Sequence, residues 1–164
     1  MRGVVRLFLG IAIVVVLASG AFAASMSGRA LVIDGDSIEI QGTRIRILDI
    51  DAPESAQLCF RHAESIDQGA WRCGRQAATS LSDWIGQQSV TCDATTQGPR
   101  KGWLSRCTVA GQDIAEWLAA NGWAVPHPSC KCEAVRAAAD RAKAAQVGIW
   151  SGGFTPPWEW REAR

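Results

Sequence analysis

The sequence predicts an α+β protein, a small barrel of five short strands with helices packed on it. Three observations carry that expectation. Five short stretches of alternating or β-branched apolar residues are set apart by Gly-bearing turns. Helix-spaced apolar residues appear mid-chain and dominate after Asp113. No internal repeat or low-complexity linker divides the chain. Barrels of this kind are common binders of oligonucleotides and oligosaccharides.

Taken in order, Gly28 to Ile33 reads as the first strand, apolar and β-branched at its end. Asp34-Gly35 predicts a hairpin turn, because glycine tolerates positive φ. Ser37-Ile38-Glu39-Ile40 alternates as a half-buried strand does, and Gln41-Gly42 is the next turn. Thr43 to Leu48 is the third strand, with Arg44 and Arg46 on one face and Ile45 and Ile47 on the other. Ser55 to Trp71 has no clear period and reads as a long loop, which a Cys59–Cys73 bridge would pin. Gly74 to Ile85 repeats apolar residues at helical spacing and stops at Gly86. Val90 to Ala94 and Leu104 to Val109 are the last two strands, joined by a turn holding Gly98, Pro99 and Gly102. Across that pair Cys92 and Cys107 would face each other and form a second bridge. Asp113 caps a short helix with Ile114, Trp117 and Leu118 inward, and Gly122 ends it. Pro126-His127-Pro128 is an extended connector, and Glu133 to Ala145 is an Ala-rich helix with a core-seeking tail, Val147 to Trp150. Pro156-Pro157-Trp158-Glu159-Trp160 reads as a Pro-stiffened terminus packed across the domain surface.

At 164 residues the chain suggests one domain. Residues 1–23 fall outside it. Arg2 and Arg6 form a basic start, Leu7 to Leu17 is apolar, and Ala21-Phe22-Ala23 has the form of a signal peptidase site. Cleavage after Ala23 is expected, with export to the periplasm or beyond and no stable membrane association; an uncleaved anchor is the rival reading. The barrel domain then spans 24–154 and the Pro/Trp-rich tail 155–164. Removing the leader leaves 15 basic against 16 acidic side chains. Polyanion binders that work by overall charge are basic, so any phosphate binding here must come from a local site. Six cysteines in an exported chain argue for disulfides. Cys130-Lys131-Cys132 lacks the second ligand pair a zinc site needs. These two may bridge each other, stay reduced or pair with another chain.

One segment gathers the chemistry. Asp36 and Asp51 are hard oxygen ligands, Arg46 is a guanidinium able to grip a phosphate with two bonds, and Glu54 follows the rigid Pro53, where it can hold or deprotonate a water. A metal, an anion clamp and a base are what cutting a phosphodiester requires. Singly, Asp34-Gly35-Asp36 is a common turn and Arg46 a common strand residue. The joint pattern of D-G-D followed by R-x4-D-x2-E has few bland explanations.

On these residues, on Leu118 to Trp123 and on Val147 to Ser151, the chain resembles the staphylococcal nuclease (thermonuclease) family from about Gly28 to Trp150. The resemblance implies a five-stranded OB-fold barrel with three helices and Ca2+-dependent hydrolysis of DNA and RNA phosphodiesters, single-stranded DNA or RNA being the partner molecule. It implies Asp36, Asp51 and the backbone carbonyl of Ala52 as Ca2+ ligands, Asp34 just behind them, Arg46 on the scissile phosphate and Glu54 on the attacking water. Ca2+ suits such a loose set of oxygens. The chain departs from the family in three ways. The position of a second catalytic arginine falls on Gly102, with Arg100 and Lys101 as substitute cations close by. There is no tyrosine to stack on a base, and the charge is not basic. Loss of one of two transition-state cations costs orders of magnitude in rate. The Cys-linked loop and the Pro-Pro-Trp-Glu-Trp tail also resemble those of small exported nuclease-like proteins of rhizobia. That implies an alternative, a catalytically impaired accessory role in exopolysaccharide (succinoglycan) biosynthesis. A third reading, from the barrel class alone, is an oligosaccharide-binding barrel with a structural Ca2+.

Overall fold

The computed structural model describes residues 25–61, 69–93, 96–97 and 103–164. The leader expected over 1–23 and the substitute cations Arg100 and Lys101 lie outside the described residues. Strand β1 is Met26–Val32, β2 Ser37–Ile40 and β3 Thr43–Ile47. A hairpin at Gln41 and Gly42, both with positive φ of 51° and 78°, joins β2 to β3. Further along come β4 (Ile50–Asp51), β5 (Cys59–Phe60), β6 (Ala70–Trp71) and helix α1 (Cys73–Ile85). They are followed by β7 (Ser89–Cys92), β8 (Thr96–Gln97), β9 (Trp103–Ser105), β10 (Cys107–Val109) and β11 (Gln112–Asp113). Last are α2 (Ile114–Ala120), β12 (Val125–Pro126), α3 (Glu133–Ala144), a 3-10 turn at Gly148–Ser151 and α4 (Pro157–Glu162).

The main sheet has eight short strands in the order β11-β10-β7-β1-β2-β3-β9-β8. The expected five-stranded barrel is corrected: among the described residues the ladder has eight strands, and β11 and β8 at its two ends are not paired with each other. The run expected over Leu104 to Val109 breaks at Arg106 because the chain changes partner there. Leu48 N donates to the Ser105 carbonyl at 2.9 Å, while Asp93 N donates to the Arg106 carbonyl at 2.9 Å. β9 therefore pairs parallel with β3, and β10 antiparallel with β7. The two outer regions of the ladder are thus one residue apart in sequence. The long loop expected from Ser55 to Trp71 is also corrected in part, since Cys59 and Phe60 pair with Trp71 and Ala70.

The core is built from the inward face of this sheet. Ile38 and Ile40 of β2 and Ile45 and Ile47 of β3 are buried, as alternation requires. Ala77, Leu81 and Ile85 repeat every four residues on α1 and close one side. Ile114 and Leu118 of α2 and Val135, Ala138 and Ala142 of α3 close another. Asp113 caps α2 as expected, its Oδ1 accepting from Ala115 N at 2.8 Å and Glu116 N at 3.1 Å. Trp117, expected inward, is only half buried and stacks on Trp84 at 4.3 Å between ring centroids.

Three disulfides are present: Cys59–Cys73, Cys92–Cys107 and Cys130–Cys132. The first two are the expected pairs, and Cys92 and Cys107 are register partners in the sheet. The third sets Cys130 against Cys132, the first of the alternatives the sequence left open. Among the described residues no helix is long and apolar enough to cross a membrane. The helix count among the described residues also exceeds the expected three, because the C-terminal segment read as a Pro-stiffened terminus forms α4. Pro157 at its first turn is preorganised for a helix start, and it is buried.

Candidate functional site

The site begins in the turn between β1 and β2. Ile33 N and Asp34 N both donate to the Ser37 carbonyl, at 2.9 and 3.3 Å, and Asp36 N donates to Asp34 Oδ1 at 3.1 Å. Gly35 has no left-handed φ, so the expected reason for a glycine is corrected. Its role is close approach: a Cβ there would meet the Ala52 Cβ at 2.8 Å and the Ala77 Cβ at 3.1 Å. The bare backbone lets the turn lie against the Asp51-Ala52 segment, and Ala52 N donates to Asp36 Oδ2 at 3.2 Å. Ser37 Oγ donates to Asp36 Oδ1 at 3.0 Å. Behind this segment α1 presses on Pro53 and Glu54, at Gly74, where any side chain would run into the Glu54 carbonyl.

Register on the sheet brings in the first cation. Arg46 of β3 is paired with Ser37 of β2, which sets its side chain on the same face as the Asp36 turn. Arg46 Nη2 donates to Asp36 Oδ2 at 2.9 Å and to Asp51 Oδ1 at 2.7 Å. Asp51, held by β4 pairing with β12, is fully buried. Asp34 lies one step back, paired with Arg44 at 3.0 Å.

A second cation arrives from a segment the sequence reading gave no chemistry. Arg161 of α4 donates from Nη1 to Asp51 Oδ1 at 2.9 Å and from Nη2 to Asp51 Oδ2 at 2.6 Å. Its Nη1 also donates to Glu54 Oε1 at 2.8 Å. The anchor is the fully buried Gln57: its Nε2 donates to the Thr155 carbonyl at 2.6 Å and its Oε1 accepts from Glu54 N at 3.2 Å. Trp158 packs on the small cluster of Cys59, Cys73, Val125 and Ile149. The sequence signal that could have found Arg161 is the Pro-Pro start of a short helix, which puts Trp158 and Arg161 three apart on one side.

The electrostatics follow from crowding. Burial, the largest influence, pushes Asp36 up to about 7, with Asp34 and Asp51 acting the same way and Arg46 opposing. Burial pulls the Arg46 guanidinium down, but the charges of Asp36 and Asp51 outweigh it and leave it above its usual value. The hydrogen bond from Arg161 to Asp51 raises Arg161, with Glu54 adding to it against desolvation.

Arg46 and Arg161 both line a cavity of about 410 Å³. Leu48, Trp103, His127 and Ser129 form other parts of its wall, and Trp103 is 39% exposed, enough to offer a ring face. The donor set suits a hard divalent ion, since oxygens of two buried carboxylates already converge on one cationic nitrogen, Nη2 of Arg46. Every oxygen of Asp36 and Asp51 has a protein donor, so such an ion would compete with the guanidinium contacts for these oxygens. Another group with ligand spacing among the described residues is Asp49 with Cys130 and Cys132, whose sulfurs are bonded to each other and offer no thiolate.

Comparison with known proteins gives the family. The family described as "Staphylococcal nuclease homologue" matches residues 44–152, a span that holds Arg46, Asp51 and Glu54 but neither Asp36 nor Arg161. A relative, the "Succinoglycan biosynthesis protein ExoI" of Rhizobium meliloti (strain 1021), is 33% identical over 126 residues. That alignment covers 75% of this chain and 63% of the relative, so the chain spans less than two thirds of the relative's length. The breadth of the family match, over a span containing a basic strand residue set against a buried aspartate, makes this chain a member of the staphylococcal nuclease homologue family.

Proposed function

We infer that the protein is an exported phosphodiesterase that depends on Ca2+ and cuts single-stranded DNA or RNA. The observation that carries this reading is Arg46 shared between two buried carboxylates at the edge of a cavity. In this reading Asp36, Asp51 and the Ala52 carbonyl hold the ion. When bound, the ion supplies positive charge to a non-bridging phosphate oxygen. Arg46 then turns a bidentate face to the same phosphate. Glu54 takes a proton from a water whose oxygen forms a new bond to phosphorus. The bond from phosphorus to the leaving oxygen breaks, and that oxygen takes a proton from solvent. The products are an alcohol and a phosphomonoester. Leu48 and the Trp103 ring offer the neighbouring nucleoside an apolar wall, in place of tyrosines that this chain lacks. Three disulfides accord with an oxidising compartment outside the cytoplasm.

A second reading has its own support. Two guanidiniums of the chain itself already pair with Asp36 and Asp51, and the ExoI relative is named for succinoglycan biosynthesis. An accessory protein on a nuclease scaffold would look the same. Cleavage of a labelled single-stranded oligonucleotide, with Ca2+ and with chelator, separates the two when run beside Arg46→Ala. The nuclease reading expects Ca2+-dependent products that the variant does not make. Equal background from both proteins ends it in favour of the accessory role.

A further inference from the structure

The geometry points to Arg161 as the second phosphate-gripping cation of this site, supplied by the C-terminal helix from outside the family-matched span. In this structure it holds Asp51 and Glu54; were a divalent ion to be held by the aspartates, its guanidinium would be released toward the phosphodiester. The inference rests on the phosphodiesterase reading.

Three observations support it. Arg161 and Arg46 line the same cavity, so both can reach one bound phosphate from the protein's own walls. The helix that carries Arg161 is fixed at its start, through Gln57 to Thr155, through buried Pro157 and through Trp158. The guanidinium, by contrast, is at the end of a long side chain in the last turn, one fifth exposed. Only the side chain has to move for the contacts to change.

Charge gives the reason for the exchange. With Asp36 ionised, the form that can hold an ion, Asp36, Asp51 and Glu54 set three negative charges against the two guanidiniums, a sum of −1. A divalent ion takes the cluster to +1, and one phosphodiester returns it to zero. Without Arg161 the empty cluster would be −2 and the loaded one −1. Arg161 therefore opposes the ion when it binds alone and favours the anion once the ion is in place. Linkage requires the reverse as well, so a nucleotide tightens ion binding by the same factor. Truncating Arg161 should shrink that factor.

The test uses the full chain and Arg161→Gln, with Arg161→Lys as the charge-keeping control and near-UV circular dichroism to check packing. Titration calorimetry reads CaCl2 alone, then thymidine monophosphate in the presence and absence of Ca2+. Single-turnover cleavage of an oligonucleotide is read in parallel. Expected for Arg161→Gln are Ca2+ binding at least about 5-fold tighter when alone, nucleotide binding at least about 10-fold weaker with Ca2+ present, and cleavage at least about 100-fold slower. Arg161→Lys should fall between. Nucleotide affinity and cleavage that rise or stay equal in Arg161→Gln would make Arg161 a latch and overturn the inference. Unchanged Ca2+ affinity together with lost packing would make it a strut, with the same consequence. Wild-type protein that binds Ca2+ and nucleotide but does not cut ends the phosphodiesterase reading, while the binding ratios still decide the role of Arg161. Wild-type protein that binds no Ca2+ overturns both.

Discussion

Gly35→Ala tests how the site is assembled, because the added methyl group has nowhere to go. It would be 2.8 Å from the Ala52 Cβ and 3.1 Å from the Ala77 Cβ. Ordinary carbon contact is about 3.5 Å, so the turn and the Ala52 segment must separate by about 0.7 Å. Such a separation along the Ala52 N to Asp36 Oδ2 bond, now 3.2 Å, takes it beyond hydrogen-bonding range. Overpacking of this kind costs about 1–3 kcal/mol. The opposing effect is the reduced freedom of the unfolded chain, worth about 0.4–1 kcal/mol, since Gly35 has no left-handed φ to forbid alanine. The clash wins, and the net loss of about 1–2 kcal/mol should lower Tm by several degrees. Ca2+ affinity should fall with it, because Asp36 is displaced. Calorimetric melting and Ca2+ titration are the assays. Gly35→Ala/Ala52→Gly should recover most of the loss, since it removes the nearer contact. A Tm equal to or above wild type in the single variant, or no recovery in the double, refutes the close-approach account.

Further predictions concern the charges and bridges. Arg46→Ala leaves Asp36 and Asp51 without a shared partner; urea unfolding should show a loss of about 2–4 kcal/mol, toward the lower end because Arg46 is one third exposed. The raised Asp36 sets a pH dependence. Between about 4 and 7 the folded chain keeps a proton that the unfolded chain has released, so this contribution is full below pH 4 and lost as pH rises through 7. Urea midpoints measured with chelator across that window should fall, and Asp36→Asn should remove that part of the slope; a slope unchanged in the variant assigns it elsewhere. Replacing Cys92 and Cys107 with alanine opens a loop of sequence separation 15 and should cost about 3 kcal/mol. Thiol titration of unreduced protein should find no free cysteine, and two would dissolve the Cys130–Cys132 bridge.

Much of the site was legible because it is local. Asp36 and Arg46 fall within the β1–β2–β3 hairpins, and Asp51 and Glu54 follow close behind in sequence, so the segment gathers them locally. Bridges Cys59–Cys73 and Cys92–Cys107 were legible for the same reason, as each closes a loop or a strand pair. Arg161 was not. It is separated from Asp51 by 110 residues and arrives only through the docking of α4, which no periodicity encodes. The role of Gly35 was misread because positive φ and close approach both select glycine, and only packing tells them apart. The split of β9 from β10 depends on partners on two sides, information a single strand does not carry.

Gln57 has one further consequence. A single buried amide ties the backbone of Glu54 to the segment that carries Trp158 and Trp160. Trp158 and Trp160 share the helix that carries Arg161, and Trp103 lines the cavity itself. The protein carries its own optical reporter: tryptophan emission should track filling of the cleft without any dye or label.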